Sequence, residues 1–315
     1  MKLPLPAATI GDIDTSFQQG RRANATTPAA DPTGLESERG ADYNRTMQRL
    51  CRLMAVSAAA ALIAGCSVGG SAPGPPVIDP DRVLDLSYSL GPDTVYWPTA
   101  KRFELERVAY GHTEAGFFYA ANNLCMAEHG GTHMDAPIHF AEGRATADRV
   151  PVAAGIGPAV VVDVRAQAAD DPIYRVTVAD LRAWEDANGP IPAGAIVVMF
   201  SGWGERWPDA ARYLGTAQRG DVAHLRFPAF SAEAARFLVD EREVAALAVD
   251  TASIDHGPSQ DFIVHQIVHG ADKPAFENLA NVDRLPPAGA TIVALPLKVE
   301  GGSGAPARVI AILPP

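Results

Sequence analysis

The chain has 315 residues, enough for one large domain or for two of ordinary size. Hydrophobic residues make up 47% and charged residues 20% of it, which excludes a disordered chain, and three cysteines are too few for a disulfide scaffold. The formal net charge of −11, with no basic cluster in the body of the chain, argues against nucleic acid as a partner, because phosphate binding needs a dense lysine and arginine surface.

The first 80 residues have the features of a targeting sequence. Residues 1–46 lack hydrophobic periodicity, so we expect them to be disordered or not translated. Residues 47–66 contain two arginines near their start, Arg49 and Arg52, followed by an apolar run over residues 54–64. This run is too short to span ~30 Å of hydrocarbon. The run ends in Leu-Ile-Ala-Gly before Cys66, a pattern that resembles the lipobox of bacterial lipoproteins.

This leader predicts an exported protein that is lipid-anchored on the periplasmic side of the bacterial envelope. Translation would start at Met47, Cys66 would carry the lipid at the membrane, and residues 67–80 would be a linker rich in Gly, Ser and Pro. The alternative is a buried or fraying helix over the apolar run. After cleavage Cys125 is the only cysteine left, and we expect it to be a small buried residue in a strand.

Residues 81–315 show the patterns of one folded α/β domain. Apolar runs predict strands over residues 160–164, 195–200, 244–249, 291–299 and 308–313, the last two joined by a glycine-rich turn at residues 301–304. Capped amphipathic patterns predict helices over residues 177–187 and 231–241. Strands that alternate with helices indicate an α/β or α+β architecture.

The most informative segment is His-Gly-Gly-Thr-His-Met-Asp-Ala-Pro-Ile-His at residues 129–139. It holds three of the eight histidines and an aspartate, the side chains that bind zinc or manganese. On a straight strand His129 and His133 would lie about 13 Å apart, too far for one metal ion, and the glycines and Pro137 oppose a helix. The segment therefore predicts a curled loop or bulged strand that brings Asp135 to both histidines. The alternative is a set of surface histidines in a glycine loop.

This segment resembles the H-x-G-T-H-x-D-x-P-x-H signature of the cyclase family of metal-dependent hydrolases, which includes kynurenine formamidases and isatin hydrolases. Residues 250–255 resemble the family's D-T-x-S-x-D stretch, and residues 295–298 and 301–306 its closing segment. The resemblance covers about residues 84–313. It implies the swivelling β/β/α fold of the family in a single catalytic domain over residues 81–315, and a homodimer.

The resemblance also implies the roles of individual residues. His129, His133 and Asp135 would bind a divalent metal ion, Zn²⁺ or Mn²⁺, and His265 and Glu277 a second one, with one or two ions left open. His139 would be the general acid/base. Trp97 would contact the substrate.

Other histidines and aromatic residues carry weaker predictions. His269, four residues after His265, is expected to support a ligand or to lie at the surface, and His256 to act on substrate or to be structural. We treat His112 and His224 as ordinary. Phe117, Phe118 and Tyr119 are either part of an aromatic pocket or, as is commoner for aromatic strand residues, part of the core.

The function that the resemblance implies for these residues is metal-dependent hydrolysis of a C–N amide bond, linear or cyclic, in a small-molecule aryl amide or lactam. The segment after Asp255 is closer to isatin hydrolases than to the formamidases. The alternative is a lipid-anchored protein that binds metal or an aromatic ligand without turnover. A zinc protease is a weaker alternative, since no Glu follows the first histidine of the pair.

Overall fold

A computed structural model describes residues 78–315, so the predicted leader, lipid-attachment site and most of the linker lie outside the described residues. The strands are β1 Val83–Asp85, β2 Glu104–His112, β3 Phe118–Cys125, β4 His133–Asp135, β5 Ile156–Asp163, β6 Arg175–Val176, β7 Ile196–Phe200, β8 Ala229–Phe230, β9 Ala246–Val249, β10 Ala275–Glu277, β11 Thr291–Pro296 and β12 Gly304–Ile312. The helices are α1 Arg165–Asp170, α2 Val178–Asn188, α3 Ala210–Leu214, α4 Ala232–Arg236 and α5 Ile263–Gly270. None of the described helices has the length and apolar character needed to cross a membrane.

The main sheet has eight strands in the order β1-β12-β11-β5-β7-β9-β10-β4. A further pairing between β12 and β4 closes the sheet on itself, so that it resembles a barrel. Strands β5, β7, β9 and β10 run parallel at its centre, whereas β4 lies antiparallel between β10 and β12. The closure matters for function because it places the short β4, which carries the histidine-rich segment, next to a strand from the far end of the chain.

The parallel strands are buried on both faces, which explains their continuous apolar runs. Val161, Ile196 and Val198 face one core cluster, which also contains Met134 of β4 and Phe276 of β10. The alternate residues of the same strands pack on the helices in a second cluster; these are Val160, Val162, Val197, Met199, Leu247 and Val249 of the sheet with Leu181, Trp184, Phe237, Leu238 and Val264 of the helices. The α/β class predicted from the sequence is confirmed.

The predicted elements correspond to observed ones with shifted ends. Helix α2 begins after a capping box made by Thr177 and Asp180 and stops at Gly189, which has a φ of 91°. The predicted helix over residues 231–241 is α4 followed by a π turn at Phe237–Glu241. Strand β12 begins at Gly304, four residues before the predicted start, because residues 304–306 pair with β4. That pairing is not visible in local sequence patterns.

Two predictions about the segment before the histidine cluster are wrong. Strands β2 and β3 form a separate two-stranded hairpin that packs on neither core cluster. Cys125 is therefore exposed, although it does lie in a strand, and Phe117, Phe118 and Tyr119 are exposed rather than part of the core.

Candidate metal centre and its pocket

Strand β4 positions His133 and Asp135, which point to the same side of the sheet because they are two residues apart. Met134 between them points into the core. The antiparallel partner β10 places Glu277 directly opposite His133. His265 comes from the first turn of α5 and reaches both carboxylates, with Nε2 3.2 Å from Asp135 Oδ2 and 3.3 Å from Glu277 Oε1.

His129 completes the cluster from the loop before β4. Its Nδ1 lies 2.6 Å from Asp135 Oδ1. The chain curls between His129 and His133, where Gly131 has a φ of 60° and Gly130 pairs with Tyr96 in an isolated bridge. The glycines therefore make the bend that the spacing predicts. All five predicted ligands lie within one cluster of side chains.

The proton positions of three imidazoles are fixed by their outer partners. His133 Nδ1 donates to the carbonyl of Gly131 at 2.9 Å, and His265 Nδ1 donates to Asp255 Oδ2 at 2.7 Å. His129 Nε2 donates to Ser303 Oγ at 3.0 Å, because the Ser303 hydroxyl hydrogen is itself donated to Glu128 Oε2. Each ring therefore turns its other nitrogen towards the carboxylates, where that nitrogen can bind either a proton or a cation.

This donor set fits a divalent cation. His133 Nε2 is buried and has no hydrogen-bond partner among the described residues, although Asp135 Oδ1 is 3.1 Å away and Glu277 Oε2 3.5 Å away. Nitrogen lone pairs that face two buried carboxylates repel them unless a proton or a cation lies between. Histidine nitrogens and carboxylate oxygens are the ligands of zinc and manganese. Donor atoms within 4.8 Å of one another form two groups, His129 with Asp135 and His139, and His133 with Asp135 and Glu277.

The pKa values show how the same residues share protons when no cation is bound. Burial lowers the pKa of His133, but the hydrogen bond and charge of Asp135 outweigh it and raise the pKa to about 9. Burial raises the pKa of Asp135, but the neighbouring His129 and His133 hold it well below its usual range. The pKa of Glu277 is raised by burial and by the charge of Asp135. The cluster therefore holds positive charge between its two carboxylates in either case.

His139 lies beside the cluster and forms no ion pair with Asp135 or Glu277. It ends a 3-10 turn at Pro137–His139, and its ring stacks on that of His129 at a centroid distance of 3.9 Å. Burial lowers the pKa of His139 to about 4. The imidazole is consequently neutral at neutral pH, which leaves a nitrogen available to accept a proton.

The cluster forms the floor of a cavity of about 280 Å³. Trp97, Phe140 and Phe262 line its wall, and the ring centroids of Trp97 and Phe262 are 6.2 Å apart. Trp97 also packs edge-on against Phe227. A flat aromatic ligand would thus meet an apolar wall on one side and the cluster of histidines and carboxylates on the other.

Two other histidines take separate positions. His269 is completely buried next to His265 and His139, and neither of its ring nitrogens has a hydrogen-bond partner among the described residues. It is therefore not at the surface, and burial lowers its pKa to about 3. His256 lines a shallow depression with Tyr174 and Arg175, away from the cluster.

Residues 250–255, the D-T-x-S-x-D stretch, hold Glu277 and His265 in place through hydrogen bonds. The sequence analysis did not predict this role. Asp250 accepts hydrogen bonds from Ser201 and Trp203 after β7. The Ile254 N–H donates to Glu277 Oε1 at 2.9 Å. Asp255 accepts from the backbone N–H of His265 at 3.0 Å as well as from its ring. The signal that would have found Asp255 is an acidic residue just before the helix that carries His265.

Replacing Asp255 with asparagine is expected to lower the affinity of the site for a divalent cation by about 10–100-fold, the usual effect of losing such an outer partner. The reason is that the asparagine amide no longer holds the His265 ring proton on Nδ1. Competition with a chelator measures the effect, and Asp240→Asn, at an exposed position, is the matched control. Equal affinities in the two variants would contradict this role.

Replacing Gly304 with alanine is expected to destabilise the fold by about 1–3 kcal/mol and to displace His129. An added Cβ would lie 2.5 Å from His129 Cε1 and 2.6 Å from the carbonyl oxygen of Met134, and backbone cannot move aside cheaply. Chemical denaturation and metal content report the two effects. Gly91→Ala, whose Cβ would meet no atom within 4 Å, is the control and should change neither.

Comparisons with known proteins show which family the chain resembles. The sequence matches the family described as putative cyclase over residues 84–256. It is 30% identical over 248 residues to an isatin hydrolase of Roseibium aggregatum, covering 74% of this chain and 92% of the relative. A kynurenine formamidase of Salinibacter ruber is 27% identical over 229 residues, covering 72% and 96%. The solved structure of isatin hydrolase A from Ralstonia solanacearum superimposes with a TM-score of 0.68 at 36% identity, covering 74% of this chain and 92% of that one.

Proposed function

This chain belongs to the cyclase family, and from that premise we propose that it hydrolyses the C–N bond of a small aryl amide, with cyclic amides of the isatin type as its preferred substrates. The observation that carries the proposal is the cluster of three imidazoles and two carboxylates on the floor of an aromatic-walled cavity. The preference for a cyclic amide is supported by the similarity to isatin hydrolases.

His129, His133, Asp135, His265 and Glu277 would hold a divalent ion, which we propose to be Zn²⁺ or Mn²⁺. The chemistry that such an ion supplies is polarisation of the amide carbonyl and acidification of water. Asp135 touches all three histidines and Glu277 lies within 3.5 Å of His133 and His265, so the two carboxylates offset most of the ion's charge.

His139 would move the proton. Its neutral ring lies beside His129 at the edge of the cluster, where it takes a proton from the attacking water and gives it to the departing nitrogen. An aniline-type nitrogen leaves more readily than an alkyl amine, which favours aryl amides. Trp97, Phe140 and Phe262 would hold the aromatic ring and keep bulk water away from the reacting carbonyl.

The test is hydrolysis by the purified chain, loaded with Mn²⁺ or Zn²⁺, of isatin and of an arylformamide such as N-formylkynurenine. The expected result is turnover of isatin with a higher kcat/KM than that of the formamide. Preference for the formamide would overturn the assignment of a cyclic substrate. If the metal-loaded protein hydrolyses none of a wider panel of lactams and anilides, the function is binding of a ligand without catalysis.

The position in the cell is also a proposal. We propose that the protein is exported and held on the periplasmic side of the envelope by lipid on Cys66, supported by the basic and apolar leader that ends at this cysteine. Mass spectrometry of the membrane fraction is expected to find a lipid-modified cysteine at the mature N-terminus, and Cys66→Ala to abolish it. Full-length protein in the cytoplasm would contradict the proposal. We also propose that the protein is a homodimer, supported by its resemblance to the cyclase family.

A further inference from the structure

Asn278 has an unusual backbone conformation for a buried residue. It directly follows Glu277, is only 4% exposed, and has a φ of 56°. This is the left-handed region, which glycine adopts freely and other residues rarely do. Such a conformation persists only when the surrounding contacts hold it, and residues of this kind cluster at functional sites. The contacts of Asn278 are therefore the place to look for its role.

All four polar groups of Asn278 form hydrogen bonds with segments that are distant in the sequence. Its backbone N–H donates to the carbonyl of Thr251 at 2.9 Å, and its own carbonyl accepts from Thr132 Oγ1 at 2.6 Å. Its side-chain Nδ2 donates to the carbonyl of Gly131 at 2.9 Å, and Oδ1 accepts from the Tyr213 hydroxyl at 2.9 Å. Asn278 thus connects the end of β10 to the segment after β9, the loop before β4 and helix α3.

The two side-chain partners determine the orientation of the Asn278 amide. The carbonyl of Gly131 can only accept a hydrogen bond, so the NH2 group must face it. Oδ1 then faces the Tyr213 hydroxyl, whose single hydrogen is shared with the carbonyl of Asp250, also 2.9 Å away. Burial raises the pKa of Tyr213 well above its ordinary value, so the hydroxyl keeps this hydrogen at neutral pH.

The carbonyl of Gly131 is also the acceptor for His133 Nδ1, at 2.9 Å. It belongs to the turn before β4, where Gly131 has a φ of 60°. A neutral acceptor on a glycine peptide is held less firmly than the Asp255 carboxylate, which accepts from His265. Asn278 Nδ2 donates to the same carbonyl and lies 3.5 Å from His133 Nδ1. The amide thereby fixes the carbonyl on which the orientation of the His133 ring depends.

We propose that Asn278 is a positioning residue that, through the carbonyl of Gly131, holds His133 Nε2 towards the divalent ion. The backbone bonds of Asn278 have a related effect, because they hold the end of β10 where Glu277 lies opposite His133. The proposal also gives a role to Thr132 of the histidine-rich segment, whose hydroxyl donates to the Asn278 carbonyl. It rests on the proposed metal centre but not on which amide is hydrolysed.

Replacing Asn278 with glycine tests the proposal. Glycine adopts a φ of 56° freely, and the Gly131 carbonyl and the Tyr213 hydroxyl keep their other partners, so the variant is expected to fold. Its affinity for Zn²⁺, measured by competition with a chelator, is expected to fall by about 10–100-fold.

Asn281→Gly is the matched control. Asn281 also has a left-handed φ, of 54°, and its amide also donates to a backbone carbonyl, that of Asp85 at 2.8 Å. It is exposed and does not line the cavity. Its affinity for Zn²⁺ should equal that of the unmodified chain, and equal affinities of Asn278→Gly and Asn281→Gly would overturn the proposal.

A spectroscopic signature separates positioning from a general loosening of the fold. In proton–nitrogen spectra of zinc-loaded protein labelled in its histidine rings, Asn278→Gly is expected to shift the Nδ1–H signal of His133. The corresponding signal of His265, whose partner is Asp255, should stay in place. A shift of both signals, or of neither, would contradict a specific effect on His133.

Asn278 also lines the cavity, so a contact with substrate is the competing role. At saturating Zn²⁺ the KM of Asn278→Gly for the amide is expected to equal that of the unmodified chain. A raised KM with unchanged Zn²⁺ affinity would make Asn278 a substrate contact and overturn the proposal. Absence of Zn²⁺ binding by the unmodified chain would instead overturn the proposed function, and this inference with it.

A measurement on the unmodified chain keeps the test valid if the glycine variant does not fold. The side-chain amide hydrogens of Asn278 are expected to exchange with water more slowly than those of the exposed Asn281, because one of them is held in the buried bond to Gly131. Equal exchange rates of the two amides would overturn the proposal.

Discussion

Replacing Asp135 with asparagine is expected to release the divalent ion and to reduce amide hydrolysis by more than the roughly 10–100-fold that loss of an outer partner costs. Asp135 is the common member of the cluster: His129 Nδ1, His133 Nε2 and His265 Nε2 lie 2.6, 3.1 and 3.2 Å from its carboxylate. The asparagine side chain is uncharged, so it offsets none of the charge of the ion. Its NH2 group also points a hydrogen-bond donor towards the imidazoles, where the carboxylate had an acceptor oxygen. Metal analysis after dialysis measures the first effect, and hydrolysis of isatin the second.

Asp221→Asn is the matched control for this variant. Asp221 also accepts from a histidine, His224, but His224 is exposed and neither residue lines the cavity. Metal content and activity of this control should equal those of the unmodified chain. If Asp135→Asn kept its metal, the cluster would not be the binding site, whatever happened to activity.

Replacing His139 with alanine is expected to lower kcat by about 10²–10⁴-fold, the usual contribution of a general acid/base, while the metal content stays the same. His139 is stacked on His129 and has no ion pair with either carboxylate, so the cluster keeps its three other imidazoles. The measurement combines single-substrate kinetics with metal analysis of the same preparation.

The metal content of His139→Ala decides between two roles. His139 also belongs to a group of possible ligands with His129 and Asp135. Loss of metal would make it a ligand, and full activity would remove it from the mechanism. His224→Ala, at a histidine whose side chain is 76% exposed, should match the unmodified chain in both measurements.

Much of the candidate site could be predicted because short-range spacing determines it. The distance between His129 and His133 excludes a straight strand, and the two glycines supply the bend that the structure shows at Gly131. Apolar runs likewise predict strands over residues 160–164, 195–200 and 244–249, where the structure has β5, β7 and β9, and the parallel pairing of these strands is seen only in the structure.

The features of the site and fold that the sequence did not predict depend on contacts between distant parts of the chain. Ser303 meets His129 across 174 residues, because β12 pairs with β4 and closes the sheet. The exposure of the β2–β3 hairpin was missed because its apolar residues have the sequence pattern of a core strand. Nothing in the local sequence shows that the core lies elsewhere.

Diffraction from crystals soaked with Mn²⁺ or Zn²⁺, with anomalous data collected above and below the metal absorption edge, tests the central claim most directly. We predict an anomalous peak between the carboxylates of Asp135 and Glu277, in contact with His133 and His265, in protein that hydrolyses an amide. An active protein with no peak there, or with its metal bound elsewhere, would contradict the account.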